Sequence, residues 1–401
     1  MEVYLIIGSA LFFVGVLLSP IALKTGAPLL LLFLLIGILM GEDGPGGLDW
    51  DNFELAYDIG SIALAIILFA GGLETQFGDV KKAWAPSLSM ATLGVCVTTA
   101  VVAGALVVLD VPLDRALLYG AVVGSTDAAA TFMLLQQRAI DLKGRGKETI
   151  LLESGINDPV AIFLTVVFVG VVDFGFDSLG WSTAHILMSQ LGLGVVFGLG
   201  GGFALAWLMN HIRFPAGLNA VFVLSGGLLL FGMTASLGGS GFLAVYICGV
   251  VISARCSRPL QRILNFHGAL AWFSQIGLFL MLGLLVTPRD LVSEIPTSLV
   301  IAGILILVAR PVASMVCLPR MGFSVREKLF IGWVGLRGAV PIFLAIIPVI
   351  SPGPIAVDFF NEIFIVVIAS LVLQGWTIPL AAKVLKVEQP PATGPQLGSG
   401  K

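Results

Sequence analysis

Charged side chains are scarce in this sequence. Asp, Glu, Lys and Arg make up 11% of its 401 residues, hydrophobic residues make up 58%, and the mean hydropathy is +1.04. A soluble domain carries about 25% charged residues. The composition therefore predicts a polytopic integral membrane protein.

Features of nucleic-acid-binding proteins, metalloproteins and enzymes are also lacking. The net charge is −3, and no Lys/Arg-rich run of the kind that binds nucleic acid is present. The four cysteines are scattered, with neither metal-ligand spacing nor a disulfide framework. Neither a His/Cys cluster nor a nucleophile–base motif occurs, so we expect no enzyme, no cofactor and no nucleic acid partner.

Apolar runs divide the chain into candidate membrane spans. A hydrocarbon core of about 30 Å needs roughly 20 apolar residues in a helix. This length criterion predicts thirteen transmembrane helices in an all-α protein. The spans are expected at 3–23, 27–41, 57–74, 84–109, 114–135, 148–172, 183–209, 215–235, 239–254, 264–286, 291–318, 326–348 and 360–384.

Loop charge predicts the orientation of these spans. Lys and Arg gather in alternate loops, and the other loops hold only Arg115 and Arg289. Because cytoplasmic loops carry the excess of Lys and Arg, we expect the N-terminus outside and the C-terminus in the cytoplasm. Residues 1–386 are predicted to form the transmembrane domain, and the Pro/Gly-rich segment 387–401 a flexible cytoplasmic tail or an expression remnant.

Five ionisable residues stand out inside the predicted spans. Each is expected to raise the free energy of insertion by ~2.5–3.5 kcal/mol or more, so each is by default a functional candidate. They are Asp127, Glu153, Asp158, Arg310 and Arg337.

Asp127 stands in "GSTDAAAT", halfway through the fifth span. Small and hydroxylated residues weaken a helix and offer oxygen atoms, as cation sites on discontinuous helices require. The alternative is a small-residue helix interface whose buried acid is paired with a cation elsewhere.

The stretch "ESGINDPVAI" places Glu153, Ser154, Asn157 and Asp158 on one side of the sixth span, with Pro159 loosening the helix. Burial favours the protonated form of a carboxylate, whereas a bound cation favours the ionised form. Asp158 can therefore hold either a proton or a cation, and competition between the two is the minimal chemistry of cation/proton exchange.

Arg337 lies in "GWVGLRGAVPIF", a second interrupted span seven spans after the fifth. This odd offset predicts two inverted six-helix repeats, spans 1–6 and 8–13, with spans 5 and 12 unwound and crossed. We expect Arg337 to pair with Glu153, which leaves Asp158 and Asp127 free for transport. The alternative is a purely structural pair of Arg337 with Asp158.

Three motifs, "GSTDAAAT", "ESGINDPVAI" and "GLRGAVPI", resemble in order and spacing those of the monovalent cation:proton antiporter family. "GAPLLLLFLLIGILMGEDGPGG" further resembles its potassium/proton, cell-volume-regulation branch. The likeness covers essentially all thirteen spans.

The resemblance implies a cation/proton site formed by Thr126, Asp127, Ser154, Asn157 and Asp158, with the K+ or Na+ ion itself held by Asp158, Asp127, Ser154 and Thr126. It also implies that Glu153 and Arg337 form an ion pair that holds the core. With an asparagine at position 157, the chain resembles the electroneutral exchangers of the family, which implies an exchange of one cation for one proton.

The family likeness further implies a homodimer in a prokaryotic inner membrane that works as an elevator. A transport core, about 84–172 and 291–386, would move against a scaffold, about 1–80 and 215–286, with 183–209 as the linker helix.

Two further residues are accessory candidates, Glu74 and Arg310, and one position departs from the family pattern. Many relatives carry an acid where this chain has Ala70, and Glu74 lies one helical turn away, either as a substitute or as a snorkelling acid at the membrane surface. Arg310 is expected to have a structural role in the core rather than a ligand role.

Two other transporter classes stay open. A sodium-coupled organic anion symporter also uses crossed broken helices, but the motifs supply acids instead of donors for a carboxylated substrate. A cation channel would need a continuous pore lined by carbonyls or acids and no competition with protons.

Overall fold

The computed structural model describes residues 2–25, 28–127, 131, 142, 144–215 and 217–388. Within these residues the chain is helical, and β-structure is limited to two isolated bridges, Gly41 with Leu48 and Leu142 with Glu388. The predicted all-α fold is confirmed. The proposed tail beyond residue 388 lies outside the described residues.

The described α-helices are numbered here in chain order. They are α1 Glu2–Thr25, α2 Leu29–Met40, α3 Phe53–Glu74, α4 Phe77–Ser89, α5 Val95–Val108, α6 Leu113–Val122, α7 Gly146–Phe174, α8 Trp181–His211, α9 Leu218–Ser236, α10 Gly241–Arg255, α11 Gln261–Leu284, α12 Pro288–Ile304, α13 Arg310–Cys317, α14 Val325–Trp333, α15 Ala339–Leu344, α16 Ile346–Ile350 and α17 Val357–Leu385.

In the described part of the chain, eight helical segments are long and apolar enough to cross a membrane, and four shorter apolar helices accompany them. Most helix ends lie within a few residues of the ends of the predicted spans. The sixth span, for example, is predicted at 148–172 and the corresponding helix is Gly146–Phe174. The fifth predicted span, 114–135, is described only to residue 127 and at residue 131. The count of thirteen and the inverted repeats stay predictions.

Two long segments each contain a π-helical turn. Met90–Gly94 joins α4 to α5, and Leu305–Ala309 joins α12 to α13. A π turn inserts one extra residue into a helix and is common at functional sites. The second turn is followed directly by Arg310, whose side chain is buried.

The helices pack as two groups. In one, α2 and α3 pack on α11, and α8 and α9 pack on α10, which also contacts α3. In the other, α4 and α5 surround α6 and α7, and α12 lies along α17. These groups resemble the predicted scaffold and core, and that division of labour stays a prediction.

A stripe of glycines on α8 allows close packing on α10. A Cβ atom at Gly198 would lie 2.9 Å from the Ala244 carbonyl oxygen, and one at Gly202 would lie 2.7 Å from Val251 Cβ. Small residues let helix backbones approach where lipid offers no hydrophobic drive to association. The glycine-rich span therefore serves packing, as its composition indicates.

We expect Gly198→Val to destabilise the protein, because the added side chain must push α8 away from α10. Overpacking of this kind typically lowers stability by about 1–3 kcal/mol. The matched control is Gly200→Val, since a Cβ there meets nothing within 4 Å. Thermal unfolding in detergent, followed by tryptophan fluorescence, should show a lower Tm for Gly198→Val only. Equal Tm values for the two variants would contradict this packing.

Candidate functional site

Two breaks in the helices meet inside the second group. One follows α6 at residues 123–127, and the other separates α14 from α15 at residues 334–338. The backbone N–H of Asp127 donates a hydrogen bond to the Leu336 carbonyl, with 2.9 Å between nitrogen and oxygen. The two interrupted segments predicted from the sequence thus lie in direct contact.

Arg337 satisfies the carbonyls that the first break leaves open. Its side chain is buried, and Nη1 donates to the carbonyl oxygens of Gly124, at 3.1 Å, and of Ser125. The last carbonyls of a helix lack partners within the helix and carry partial negative charge. A cation at this point therefore stabilises an unwound backbone that lipid could not solvate.

The second break is supported from α17. Ser370 Oγ accepts the backbone N–H of Arg337 at 3.1 Å and donates to Gln374 Oε1. Gln374 Nε2 in turn donates to the Trp333 carbonyl, the end of α14, at 2.6 Å. Sequence reasoning missed Ser370 and Gln374; their signal is two buried polar residues four apart on an apolar span.

The predicted Glu153–Arg337 ion pair is wrong. Glu153 pairs instead with Arg310, with 2.9 Å between Oε1 and Nη1 and both side chains about 1% exposed. Among the described residues Arg337 forms no ion pair with Glu153. The physical reason is competition: the open carbonyls of the first break hold the Arg337 guanidinium, and the π turn before Arg310 presents that arginine to α7.

Glycines of the "GLRG" stretch make room for charged side chains from other helices. A Cβ at Gly335 would overlap the Arg310 guanidinium, and a Cβ at Gly338 would overlap the Asp127 carboxylate. Each glycine therefore allows a charged group to lie directly against the unwound backbone.

Three predicted ligand residues form one hydrogen-bonded cluster. Asn157 Nδ2 donates to Thr126 Oγ1 at 2.6 Å, and that oxygen lies 2.9 Å from Ser154 Oγ. Asn157 Oδ1 is buried and has no hydrogen-bond partner among the described residues. The cluster joins the first break to α7 and leaves one amide oxygen available.

Asp158 and Asp127 lie together at a cavity. Both line a space of about 560 Å³ that Ser154 also borders. Asp158 is about 5% exposed, its Oδ1 lacks a hydrogen-bond partner in the described part of the chain, and the hydroxyl of Ser125 and the carboxylate of Asp127 lie nearby. Sequence reasoning counted Ser125 among the small and hydroxylated residues of "GSTDAAAT" without assigning it to the site, and the fold shows it beside Asp158.

The cavity reaches one face of the molecule. Glu74, Asp79 and Glu148 line its mouth, where α3 ends and α4 and α7 begin. Ala70 also lines it, so the position that departs from the family pattern and its possible substitute, Glu74, border the same cavity. Toward the opposite end of α3 from Glu74, Tyr57 stacks on Phe343 of α15 with 5.2 Å between ring centroids.

Crossed broken helices around buried acids define the class of secondary transporters that bind their substrates near the middle of the membrane. Comparison with known proteins narrows the class. The family described as sodium/hydrogen exchanger, transmembrane, matches residues 9–384, and the chain belongs to it. The predicted family is thereby confirmed, and the protein is a multi-pass membrane cation/proton antiporter rather than an enzyme.

Curated relatives support this assignment. A K(+)/H(+) antiporter NhaP2 from Shewanella baltica is 44% identical over 400 residues, which cover 99% of this chain and 69% of the relative. A K(+)/H(+) antiporter NhaP from Alkalimonas amylolytica is 42% identical and covers 98% of this chain and 68% of the relative. Both names agree with the potassium/proton branch predicted from the motifs.

A solved structure shares the fold. The sodium proton antiporter MjNhaP1 from Methanocaldococcus jannaschii at pH 8 superposes with a TM-score of 0.79 at 24% identity, over 94% of this chain and all of that chain.

We expect a double-mutant cycle to identify Arg310 as the partner of Glu153. Removing one member of a buried pair leaves an uncompensated charge and typically lowers stability by about 3–5 kcal/mol. Glu153→Gln and Arg310→Gln should each lower Tm, and the double variant should recover much of the loss. The control cycle combines Glu153→Gln with Arg337→Gln, whose effects should be closer to additive. A stronger coupling between Glu153 and Arg337 than between Glu153 and Arg310 would instead support the ion pair predicted from the sequence.

Gly338→Ala should displace the Asp127 carboxylate, because the new methyl group occupies its position. We expect cation-dependent proton transport to fall severalfold while the protein keeps its fold. Gly71→Ala is the control, since a Cβ there meets nothing within 4 Å. Transport and thermal unfolding are measured on both variants. An unimpaired transport rate in Gly338→Ala would show that Asp127 need not lie against Gly338.

Proposed function

We propose that this protein exchanges a monovalent cation, K+ or Na+, for H+, with the two competing for Asp158. The observation that carries the proposal is the setting of this aspartate: it is buried, one of its oxygens lacks a hydrogen-bond partner among the described residues, and it borders an open cavity. A buried carboxylate without a partner is unfavourable as an ion. It therefore favours a bound proton or a bound cation.

Further oxygens support cation binding at this point. Asp127 borders the same cavity, and Ser154 and Thr126 place hydroxyl oxygens 2.9 Å apart beside it. Asn157 holds Thr126 in position through its amide, while its own Oδ1 has no partner in the described residues. Oxygen ligands of this kind suit monovalent cations, and the cation is the substrate.

Asn157 also bears on the charge of the transport cycle. Its amide donates to the cluster without adding a further carboxylate to those of Asp158 and Asp127. One cation moving against one proton is therefore the expected stoichiometry, and the exchange would be electroneutral. Driving force would then come from the two concentration gradients rather than from the membrane potential.

Glu153 and Arg310 have a structural role in this proposal. They neutralise each other inside the core, so neither needs to change charge during transport. Arg337 likewise stays with the carbonyls of the first break. The division leaves Asp158 as the principal carrier of the exchanged charge, with Asp127 second.

The cavity and the aromatic contact opposite it support alternating access. We infer that the site is open at the face where Glu74 lies and closed at the face beyond the stacked rings of Tyr57 and Phe343. Loop charge places the open face in the cytoplasm, so the structure would correspond to an inward-facing state. Movement of the second helix group against the first, as an elevator, would carry Asp158 to the other face.

K+ is the first candidate among the cations, because the relatives from Shewanella baltica and Alkalimonas amylolytica are named K(+)/H(+) antiporters. Bacterial relatives of this kind also indicate the inner membrane as the location. A homodimer is the expected assembly by analogy with the family.

Transport by purified protein in liposomes tests the proposal. The liposomes contain an acidic interior and a pH-sensitive dye, and KCl, NaCl, LiCl or choline chloride is added outside. We expect K+- or Na+-dependent proton efflux in the wild type and an efflux equal to that of protein-free liposomes in Asp158→Asn. Asp79→Asn is the matched control, since Asp79 is an acid at the cavity mouth.

Repeating the assay at clamped membrane potentials tests electroneutrality, because the rate of a one-for-one exchange should not depend on the potential. Cation current without proton movement would indicate a channel. Proton efflux that survives in Asp158→Asn would remove this residue from the mechanism.

A further inference from the structure

A second buried acid lies in the membrane part of the chain and has no place in the site described above. Glu362 of α17 is about 8% exposed, and its Oε2 accepts a hydrogen bond from the Tyr119 hydroxyl of α6. An acid within a transmembrane helix is rare and is by default a functional candidate. Its described partner is a neutral phenol instead of a cation.

Glu362 lies on the side of the crossing away from the cavity. The Asp173 carboxylate, at the end of α7, lies against Gly353 in the loop before α17. The start of α17 is therefore beside the end of α7, whereas the start of α7 borders the cavity mouth. Glu362 precedes Ser370 by eight residues, or about 12 Å along the helix axis, and Ser370 marks the level of Arg337.

Charged groups on the neighbouring elements do not compensate Glu362. Arg289 of α12 pairs with Asp43 at 3.1 Å, and Arg115 of α6 is exposed. Among the described residues, α2, α15 and α16 carry no charged side chain. The basic residues of α14 lie in its first turn, at the end that is far from Glu362. The remaining titratable groups of the nearby elements are acids or phenols, namely Glu54, Tyr57, Asp58, Asp114, Asp173, Asp290, Glu294 and Asp358.

The contrast with Glu153 is informative. Both glutamates are buried near the beginning of a 29-residue helix, α7 or α17. Glu153 is neutralised by Arg310 and is thereby fixed in charge. Glu362 meets only the Tyr119 phenol, so a proton is the simplest way for it to lose its charge in a low-dielectric setting.

The hydrogen bond between Tyr119 and Glu362 also links the two helices that lead into or support the two breaks, α6 and α17. Tyr119 lies on α6, the helix that leads into Ser125 and Asp127, and Glu362 lies on α17, whose Ser370 holds the backbone of Arg337. A change of charge at Glu362 therefore acts on both segments that form the crossing.

We propose that Glu362, hydrogen-bonded by Tyr119, is a second proton-binding site of the antiporter, on the side of the crossing that faces away from the cavity. The inference rests on the proposed function, because its proton would be one that the exchange takes up or releases at the far face of the membrane. Asp158 stays the residue at which cation and proton compete.

The first test is infrared difference spectroscopy of the purified protein between mildly acidic and mildly alkaline pH. A protonated carboxyl group gives a carbonyl stretching band. We expect Glu362→Gln to lose one such band, Tyr119→Phe to shift it, and Asp358→Asn to leave it unchanged, since Asp358 is an exposed acid on the same helix.

The second test measures exchange in liposomes with uniformly oriented protein while pH is varied at one face at a time. Glu362→Gln should keep exchange but change the half-maximal proton concentration at the far face by about tenfold, equivalent to about 1.4 kcal/mol. The proton dependence at the cavity face should not change, and Asp358→Asn should behave as the wild type.

An unchanged infrared band in Glu362→Gln overturns the proposal, as does any pattern of proton dependence other than a change confined to the far face. If Glu362→Gln fails to fold, the band shift in Tyr119→Phe decides in its place. Failure of the proposed function looks different, because the wild type itself would then show no cation-dependent proton movement, whereas the infrared test of Glu362 would still apply.

Discussion

The contact between Arg337 and the carbonyls of Gly124 and Ser125 is the interaction on which the rest of the site depends. An unwound segment within a membrane exposes backbone groups that lipid cannot solvate. The Arg337 side chain satisfies one break, and Ser370 and Gln374 satisfy the other. With the backbone compensated in this way, Thr126 and Asp127 can turn toward α7 and meet Ser154, Asn157 and Asp158.

Such a crossing places two charged side chains of other segments, Arg310 and Asp127, against one short stretch, "GLRG", which carries a third charge of its own. Gly335 admits Arg310, Gly338 admits Asp127, and Arg337 itself reaches across to the first break. The glycines thus do more than weaken a helix. They set how closely the acid and the two arginines approach, and so they link the structural ion pair to the transport site.

Much of the fold could be predicted from the sequence, because long apolar helices in lipid follow from length and hydropathy alone. The clustering of the polar side chains was also predictable in part, since polar residues in a membrane span are rare and their spacing on α7 places them on one side. The pairing of Glu153 was not. Three buried charges allow two arginine partners, and the choice depends on the π turn before Arg310 and on carbonyls that only the crossing exposes.

The sequence by itself determined the all-α membrane fold, the two interrupted spans and the acids that we propose exchange a cation for a proton, because hydropathy, glycine and charge within an apolar span are local properties. The tertiary structure alone decided which arginine neutralises Glu153, that Ser370 and Gln374 support the break, that the cavity opens beside Glu74, and that Glu362 meets Tyr119. These are contacts between distant segments, and their distances arise only when the helices pack.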